Sequence, residues 1–426
     1  MDPRTNRGLS RRAFVKSAVA IGGATALSAC LDREENPDVP SGPSDLSSYP
    51  ARQHAWNDAL TRSEAGNVLM PKHHLLLPLR YTGDGPTDEE RETVEAALQS
   101  LEHAYARGND GLLFTVGYSP AYFDRFDDSL PESVDLPMPK ALSSFEEPEL
   151  EDYDAIVHLA SDYGHVVLAA EEALTGRQST LNGYEMDASF DGIFEVQERR
   201  TGFIGRGLPA ENQDVDGVPE GDPVPEDSPL YMGFVSGFEE NQATEDRVTI
   251  AEGPFAEGST QHVSRIRLRL DDWYDEQNRE ERVAEMFCPF HAKEGLVEGA
   301  GHNLGTSSQV DDKCAETLDE DARTYGRVGH SQKMVSVRED GRPIILRRDF
   351  DSTDGGEAGV HFVSLHRGIG DFEKTREAMN GEKQVQASPA IRQRVNNGIL
   401  EYMFVKHRAN YLLPPRAHRA LPTPNP

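Results

Sequence analysis

Two residues whose types could act together on a bound group are His330 and Arg347, which follows seventeen residues later at the end of the apolar run 343–346. An imidazole can hold a haem iron from one side, and a fixed guanidinium on the other side can polarise a bound peroxide. A histidine on a strand can equally pack or meet solvent, and arginines at a strand end are commonly solvated. The pair alone leaves both interpretations open.

A second candidate group contains Cys288 and Cys314, with His291 and His302 between them. Two thiols outside the cytoplasm commonly pair, and a disulfide closing this loop would stabilise the fold by about 3 kcal/mol. The same four side chains could instead bind zinc or copper, although the spacing matches no finger pattern. Free, buried cysteines are the third alternative.

The first residues have the pattern of an export signal. Residues 10–16 contain the twin arginines of a Tat signal, and the apolar run at 19–24 is too short to span a membrane. Small residues lead directly to Cys30, which predicts a lipidated cysteine and anchorage at the extracellular face of the membrane, with the Tat translocase as an export partner. A plain cleaved signal is the alternative. Residues 31–66 are rich in Pro, Ser and acid, which predicts a disordered tether.

Charge narrows the classes of partner. The 426 residues contain 74 Asp and Glu against 43 Lys and Arg, a net charge of −31. Such a surface repels phosphate backbones and excludes nucleic acid as an expected partner. Acid spread along the whole chain is also typical of proteins that work in concentrated salt, which favours a halophilic archaeal source.

The remaining chain predicts two halves with the same order of elements. Strand, helix, strand, strand and helix patterns between residues 67 and 205 are those of a ferredoxin-like unit, with a helix start at Thr87. A similar order follows between 206 and 420, in which 330–337 and 344–348 are predicted to form a hairpin. The predicted fold class is therefore α+β, with two ferredoxin-like domains and antiparallel sheets.

In this order of elements the chain resembles the dye-decolourising haem peroxidases, specifically the exported branch that includes Tat-dependent deferrochelatases. The resemblance covers about 74–415, and it is carried by segments 111–126, 154–174, 258–296 and 357–380. It implies the dimeric α/β barrel architecture that this family shares with the chlorite dismutases. Haem b would be the cofactor, H2O2 and a small reducing substrate would be the reactants, and a homo-oligomer would be compatible with the family.

The same resemblance assigns roles to the first pair. It implies that His330 is the axial ligand of the haem iron and that Arg347 is the distal, catalytic arginine, with Arg348 as the alternative if the strand register shifts by one residue. Arg206 and Gly207 would contact the cofactor, with Arg206 at a propionate, although a solvated loop arginine is equally compatible.

One departure puts turnover in doubt. The family's distal loop reads G-F-x-D-G, but Gly205 stands here where the proton-carrying Asp is expected. Arg347 could act with a water relay, Glu211 or Asp214 could fold back, or the protein could bind haem without turnover or bind none. The predicted function is a membrane-tethered haem peroxidase, and the alternative is a catalytically impaired haem-binding or structural lipoprotein on the same scaffold.

Overall fold

A computed structural model describes residues 38–426. The predicted Tat signal, Cys30 and the start of the predicted tether lie outside the described residues. Within the described range, no helix is both long enough and apolar enough to cross a membrane.

Residues 38–426 contain fifteen strands. They are β1 Thr61–Arg62, β2 Val68–Leu69, β3 His73–Tyr81, β4 Leu113–Tyr118, β5 Glu149–Leu150, β6 Ala155–Ser161, β7 Thr180–Leu181, β8 Tyr184–Glu185, β9 Phe194–Val196, β10 Arg200–Phe203, β11 Ser259–Leu268, β12 Leu346–Arg347, β13 Phe350–Ser352, β14 Gly359–His366 and β15 Met403–Leu413.

The same described range contains eleven α-helices, together with several short helical turns. They are α1 Asp88–Ala104, α2 Pro120–Phe123, α3 Gly164–Leu174, α4 Leu208–Glu211, α5 Arg279–Met286, α6 Pro289–Lys293, α7 Asp312–Glu316, α8 Leu318–Tyr325, α9 His330–Val335, α10 Ile369–Asn380 and α11 Glu382–Ala387. The start of α1 agrees with prediction: Thr87 accepts a hydrogen bond from the backbone N–H of Glu90, whose carboxylate accepts one from Thr87.

Eight strands form a closed antiparallel ring in the order β3, β6, β4, β15, β11, β14, β13 and β10. Strand β10 closes the ring, because Phe203 pairs with His73 of β3 and with Asp351 of β13. Four strands come from each half of the chain, and within each half the first strand lies between the fourth and the third. The predicted α+β class with two ferredoxin-like units is confirmed.

The interior of the ring is packed by side chains from both halves. Leu76, Val263, Phe350 and Tyr411 meet there, and each is almost fully buried. Because side chains on a strand alternate between the two faces, the neighbours of these residues point outward to the helices. Each half therefore has an outer sheet face for its own helices to cover.

Two predictions about local structure were wrong. Part of the predicted tether, residues 38–66, packs on the barrel: Trp56 is 2% exposed, and the amide of Gln53 donates to the carbonyls of Val116 and Pro414. Apolar side chains of this segment are thus buried against the barrel, which its Pro-rich composition did not indicate. The predicted strand at 330–337 is instead helix α9, so no hairpin forms with β12.

Candidate functional site

Helix α9 begins at His330, and backbone contacts fix its start. A side-chain carbon on Gly329 would lie 1.8 Å from the carbonyl oxygen of Phe287, so only glycine fits there. The backbone N–H of Gln332 donates to that same carbonyl over 3.2 Å. The position of His330 is therefore set by the segment that precedes α6.

The other end of α9 is held by Lys333. Its buried ammonium group donates to the backbone carbonyls of Met379 and Asn397, at 2.7 and 2.8 Å, and to the side-chain oxygen of Asn397 at 2.7 Å. All three donors of the ammonium group thus have acceptors. These contacts tie α9 to the end of α10 and keep the histidine at its place.

The imidazole of His330 lines a cavity between the outer sheet face of the second half and its helices. Its Nδ1 atom is buried, with no hydrogen-bond partner among the described residues. Burial first, then the nearby charges of Arg347 and Lys333, lowers the pKa of His330 to about 3. The ring is therefore neutral near pH 7, which is the form that ligates metal ions.

Alternation brings a cation and two carboxylates to the same cavity wall. Arg347, Asp349 and Asp351 are spaced by two residues and all line the cavity, whereas Phe350 points into the barrel. Arg348 also points away, and its guanidinium donates to the side chain of Asn57 over 2.8 Å. Arg347, rather than Arg348, therefore presents its charge to the cavity.

Asp351 is a carboxyl group held away from water. It is 2% exposed, and its Oδ2 atom accepts the backbone N–H of Tyr231 over 2.5 Å. Burial raises its pKa well above the usual range, and the charge of Asp349 adds to this effect. The carboxyl group is therefore suited to hold a proton and to release it when a base approaches.

The cavity has a volume of about 380 Å³, within the range of small-ligand sites. Its walls are mainly apolar and aromatic, and several arginines interrupt them. The arginines that line the cavity are Arg338, Arg347, Arg376, Arg394 and Arg408.

Two of these arginines share one buried carboxylate. Glu146 accepts from Arg376 over 2.9 Å and from Arg408 over 2.9 Å, and all three side chains are almost fully buried. Arg338 and Arg347, by contrast, form no ion pair with any residue between 38 and 426. Arg394 also lacks an ion pair within this range, but its guanidinium donates to three backbone carbonyls. Arg338 and Arg347 are therefore the wall arginines left available to an anionic group of a ligand.

The donor set fits a haem group. The neutral imidazole of His330 could hold the iron, the apolar walls could cover the porphyrin ring, and the free guanidinium of Arg338 could pair with a propionate. With Nε2 as the ligand, Nδ1 would carry the proton, and no acceptor for it lies among the described residues.

Four residues that the sequence suggested do not reach the cavity. Arg206 is exposed, and Gly207 precedes the short helix α4. Glu211, the last residue of α4, and Asp214 after it are also exposed. None of them lines the cavity wall. Their predicted contacts with the cofactor or the peroxide are therefore not supported.

Asp349 and Asp351 are the polar wall residues that sequence reasoning missed. Their signal was present: they follow Arg347 at the two-residue period of a strand. Glu146 could not have been found this way, since its partners lie more than two hundred residues away.

The cysteine cluster lies behind α9, outside the cavity. The Sγ atoms of Cys288 and Cys314 are 3.9 Å apart and both thiols are free, so the predicted disulfide is not formed. His291 belongs to the cluster, with its Nδ1 atom 3.0 Å from the Sγ atom of Cys288. His302 does not, because its Nε2 atom bonds to the backbone carbonyl of Asp227.

Solved structures with a similar fold are dye-decolourising peroxidases. The encapsulated DyP-type peroxidase from Mycobacterium smegmatis has 14% identity and a TM-score of 0.56, with 86% of this chain and 100% of that chain covered. The dye-decolorizing protein from V. cholerae has 14% identity and a TM-score of 0.52, with 85% and 97% covered.

A variant of DypB from Rhodococcus jostii RHA1, solved in complex with haem, has 16% identity and a TM-score of 0.52, with 82% of this chain and 95% of that chain covered. At such identities the likeness shows the fold alone, and the chain has the fold of these peroxidases. No curated protein matches it. A model of the family of unknown function DUF7405 matches residues 71–415, and the chain therefore belongs to that family.

Proposed function

We propose that this protein is a haem-dependent peroxidase of the dye-decolourising type, which reduces H2O2 while it oxidises a small donor. The observation that carries the proposal is that His330 and Arg347 line one cavity, between the outer sheet face and the helices of a protein with the peroxidase fold. Haem b would supply the redox chemistry of peroxide reduction, and the neutral imidazole of His330 would hold its iron.

Three other residues of the same cavity, Arg347, Asp349 and Asp351, would stabilise developing charge and transfer protons. Arg347 carries a permanent charge with no ion-pair partner between residues 38 and 426, so it can stabilise the negative charge that develops on a peroxide oxygen. Asp351 can take and return a proton at its carboxyl group, with Asp349 beside it. This pair of carboxyl groups would replace the distal aspartate for which Gly205 stands in the loop after β10.

The apolar wall would keep bulk water from the reacting atoms. Phe362 and Met334 lie in this wall, and the buried Glu146, Arg376 and Arg408 close one side of it. Charges in a site with little water act more strongly than in solution. The arrangement thus favours the catalytic use of Arg347.

The decisive test is reconstitution of the purified protein with haemin. The wild type is expected to give the Soret band of histidine-ligated haem, which His330→Ala loses and added imidazole restores. His418→Ala, at a partly exposed histidine that does not line the cavity, serves as the matched control and retains the band. A His330→Ala spectrum identical to that of the wild type would refute the ligand assignment.

Turnover is tested separately with H2O2 and a dye donor. Arg347→Leu is expected to lower kcat by about 10²–10³-fold, the usual loss for one stabilising group in an active site. Asp351→Asn is expected to lower it as well, with a shift in the pH profile that Arg347→Leu does not produce. Haem binding without turnover in the wild type would leave a haem-binding protein that lacks peroxidase activity.

The proposal includes the cellular location of the protein. The twin arginines and Cys30 support export by the Tat translocase and lipid anchorage at the extracellular face of the membrane, and the acidic composition supports a halophilic archaeal host. Cys30→Ser is expected to release the protein into the medium, whereas replacement of both Arg11 and Arg12 by lysine is expected to retain it in the cell. An unchanged distribution for both variants would contradict the proposal.

A further inference from the structure

We propose a second, independent metal site formed by Cys288, His291 and Cys314, which takes one soft metal ion of the Zn²⁺ or Cu⁺ class. The three ligand atoms lie within 4.8 Å of one another. They belong to three neighbouring features: Cys288 precedes α6, His291 lies within α6, and Cys314 lies within α7. This site does not depend on haem or on peroxidase activity.

The sulfur positions suit a metal better than a disulfide. The two Sγ atoms are 3.9 Å apart. Two thiolates bound to one zinc ion at about 2.3 Å in tetrahedral geometry lie roughly 3.8 Å from each other. A disulfide would need about 2.05 Å, so the sulfurs would have to approach each other by nearly half of their separation.

The histidine is oriented as a metal ligand. Its Nε2 atom is 3.0 Å from the backbone carbonyl of Ser308, and a proton on Nε2 leaves the lone pair on Nδ1. Nδ1 faces Cys288 at 3.0 Å, and a metal ion would widen this to roughly 3.5 Å. Ligating histidines commonly donate their other nitrogen to such a carbonyl, which fixes the ring and the tautomer.

The donor set selects the class of metal. Two thiolates and one imidazole favour zinc or monovalent copper over magnesium or calcium, which prefer oxygen. Three protein ligands satisfy trigonal Cu⁺ directly, or leave one position for water on Zn²⁺. Binding ionises both thiols and releases their two protons to solvent.

The site adjoins the helix of the proposed haem ligand. Gly329 packs against the Cα atom of Cys288, and the side-chain amide of Gln332 donates to the carbonyl of Cys314 over 2.6 Å. A metal ion would fix α6 and α7 to each other, and both contact the start of α9. The expected consequence is a higher Tm in the metal-bound protein, with or without haem.

The test is a titration of reduced, metal-free protein with Co²⁺, in a Cys30→Ser background so that only two thiols remain. One equivalent of Co²⁺ is expected to give thiolate-to-metal charge-transfer absorption, which Zn²⁺ abolishes by displacement. Cys314→Ser is expected to weaken binding at least about 100-fold, since even indirect supports of a ligand change affinity by 10–100-fold. His302→Ala, in the same loop but bonded elsewhere, should bind as the wild type does.

A measurement without ligand variants guards against misfolding of Cys314→Ser. Zn²⁺ is expected to slow alkylation of Cys288 and Cys314 in the Cys30→Ser protein, and a chelator should reverse this. The proposal is overturned if the reduced protein binds no Co²⁺, if Cys314→Ser binds it as well as the wild type does, or if Zn²⁺ does not protect the thiols.

Discussion

The two halves of the barrel share one strand order but differ in what covers their outer sheet faces. In the first half, one 17-residue helix, α1, connects β3 to β4, and its Val94 and Leu98 are fully buried against the sheet together with Val166 of α3. In the second half, the connection from β11 to β12 spans about 77 residues and contains five short helices. The cavity lies under this second layer.

The length of the connection that follows the first strand of each half therefore determines whether the sheet face is packed by a helix or lies beneath a cavity. A single amphipathic helix lies along its sheet and covers the sheet face with its own apolar side chains. Several short helices are held by their own polar contacts, such as those of Lys333, and leave space beneath them. The buried charges of Arg376 and Arg408 are tolerated there because both arginines form ion pairs with Glu146.

Removal of the carboxylate that serves both cavity arginines is the most severe test of this difference. Glu146→Gln would leave Arg376 and Arg408 buried without a counter-charge, at an expected cost of about 3–5 kcal/mol in the free energy of unfolding. Urea unfolding measures it. Glu373→Gln, which breaks the more exposed pair with Lys140, should cost less than about 1 kcal/mol. Equal losses of stability in the two variants would mean that burial of the arginines in the cavity wall does not raise the cost of removing their counter-charge.

Matched leucine truncations compare the two sheet faces directly. Leu98→Ala in the filled half should cost about 2–5 kcal/mol, because a cavity replaces close packing. Leu230 is only partly buried at the cavity wall, so Leu230→Ala should cost less than about 1.5 kcal/mol. Urea unfolding of both variants measures the two losses in the free energy of unfolding. Similar losses would contradict the difference in packing between the two sheet faces.

A pH series tests the second half alone. Burial raises the pKa of Glu285 to about 7, although the hydroxyl of Tyr402 donates to it over 2.8 Å. The folded state therefore holds this proton between pH 4.5 and 7 while the unfolded state has lost it, so the group's contribution to stability falls as the pH rises through this window. The loss is on the order of 3 kcal/mol.

The control for this series is Glu285→Gln, which cannot lose a proton. Its stability relative to the wild type should improve by roughly that amount from about pH 4.5 to about pH 8. Parallel curves for the two proteins would show that Glu285 titrates near its ordinary pKa.

The smallest expected effect concerns the loop after β10. Arg206 is exposed and does not line the cavity, so Arg206→Ala should change unfolding by no more than about 0.5 kcal/mol and leave haemin affinity unchanged. Arg338→Ala, at an unpaired arginine of the wall, should weaken haemin binding several-fold. Fluorescence quenching titrations with haemin measure the affinity of both variants. A larger loss of affinity in Arg206→Ala than in Arg338→Ala would indicate that haemin binds near the loop after β10.

Much of the fold could be predicted because its signals are local. Alternating strands, the capping residues around Thr87 and the repeated order of elements each depend on short segments. His330 and Arg347 were assigned by resemblance, and both line the cavity. The predicted strand at 330–337 failed because tertiary contacts of Gln332 and Lys333, invisible in the sequence, stabilise helix α9.

Long-range partners explain the other gaps. Nothing near Trp56 indicates that its indole is buried against the barrel, with the guanidinium of Arg348 5.7 Å from the ring centre. The loop with Gly205 was expected at the site because the peroxidase family that the sequence resembles has an acid at that position of its motif. The cavity instead has the carboxyl groups of Asp349 and Asp351, which follow Arg347 in the chain. Only the structure shows that these residues line the same cavity as His330.

The position of β15 has a consequence for the order in which the molecule can form during synthesis. This strand lies between β11 and β4 and joins the two halves, and the segment after it reaches Tyr118, whose hydroxyl donates to the carbonyl of Arg419. All its partners leave the ribosome before it does. The barrel can therefore close only late, although β10 and β13 can pair across the halves before β15 is made. Premature termination before residue 403 would leave an open sheet whose exposed edges are β4 and β11.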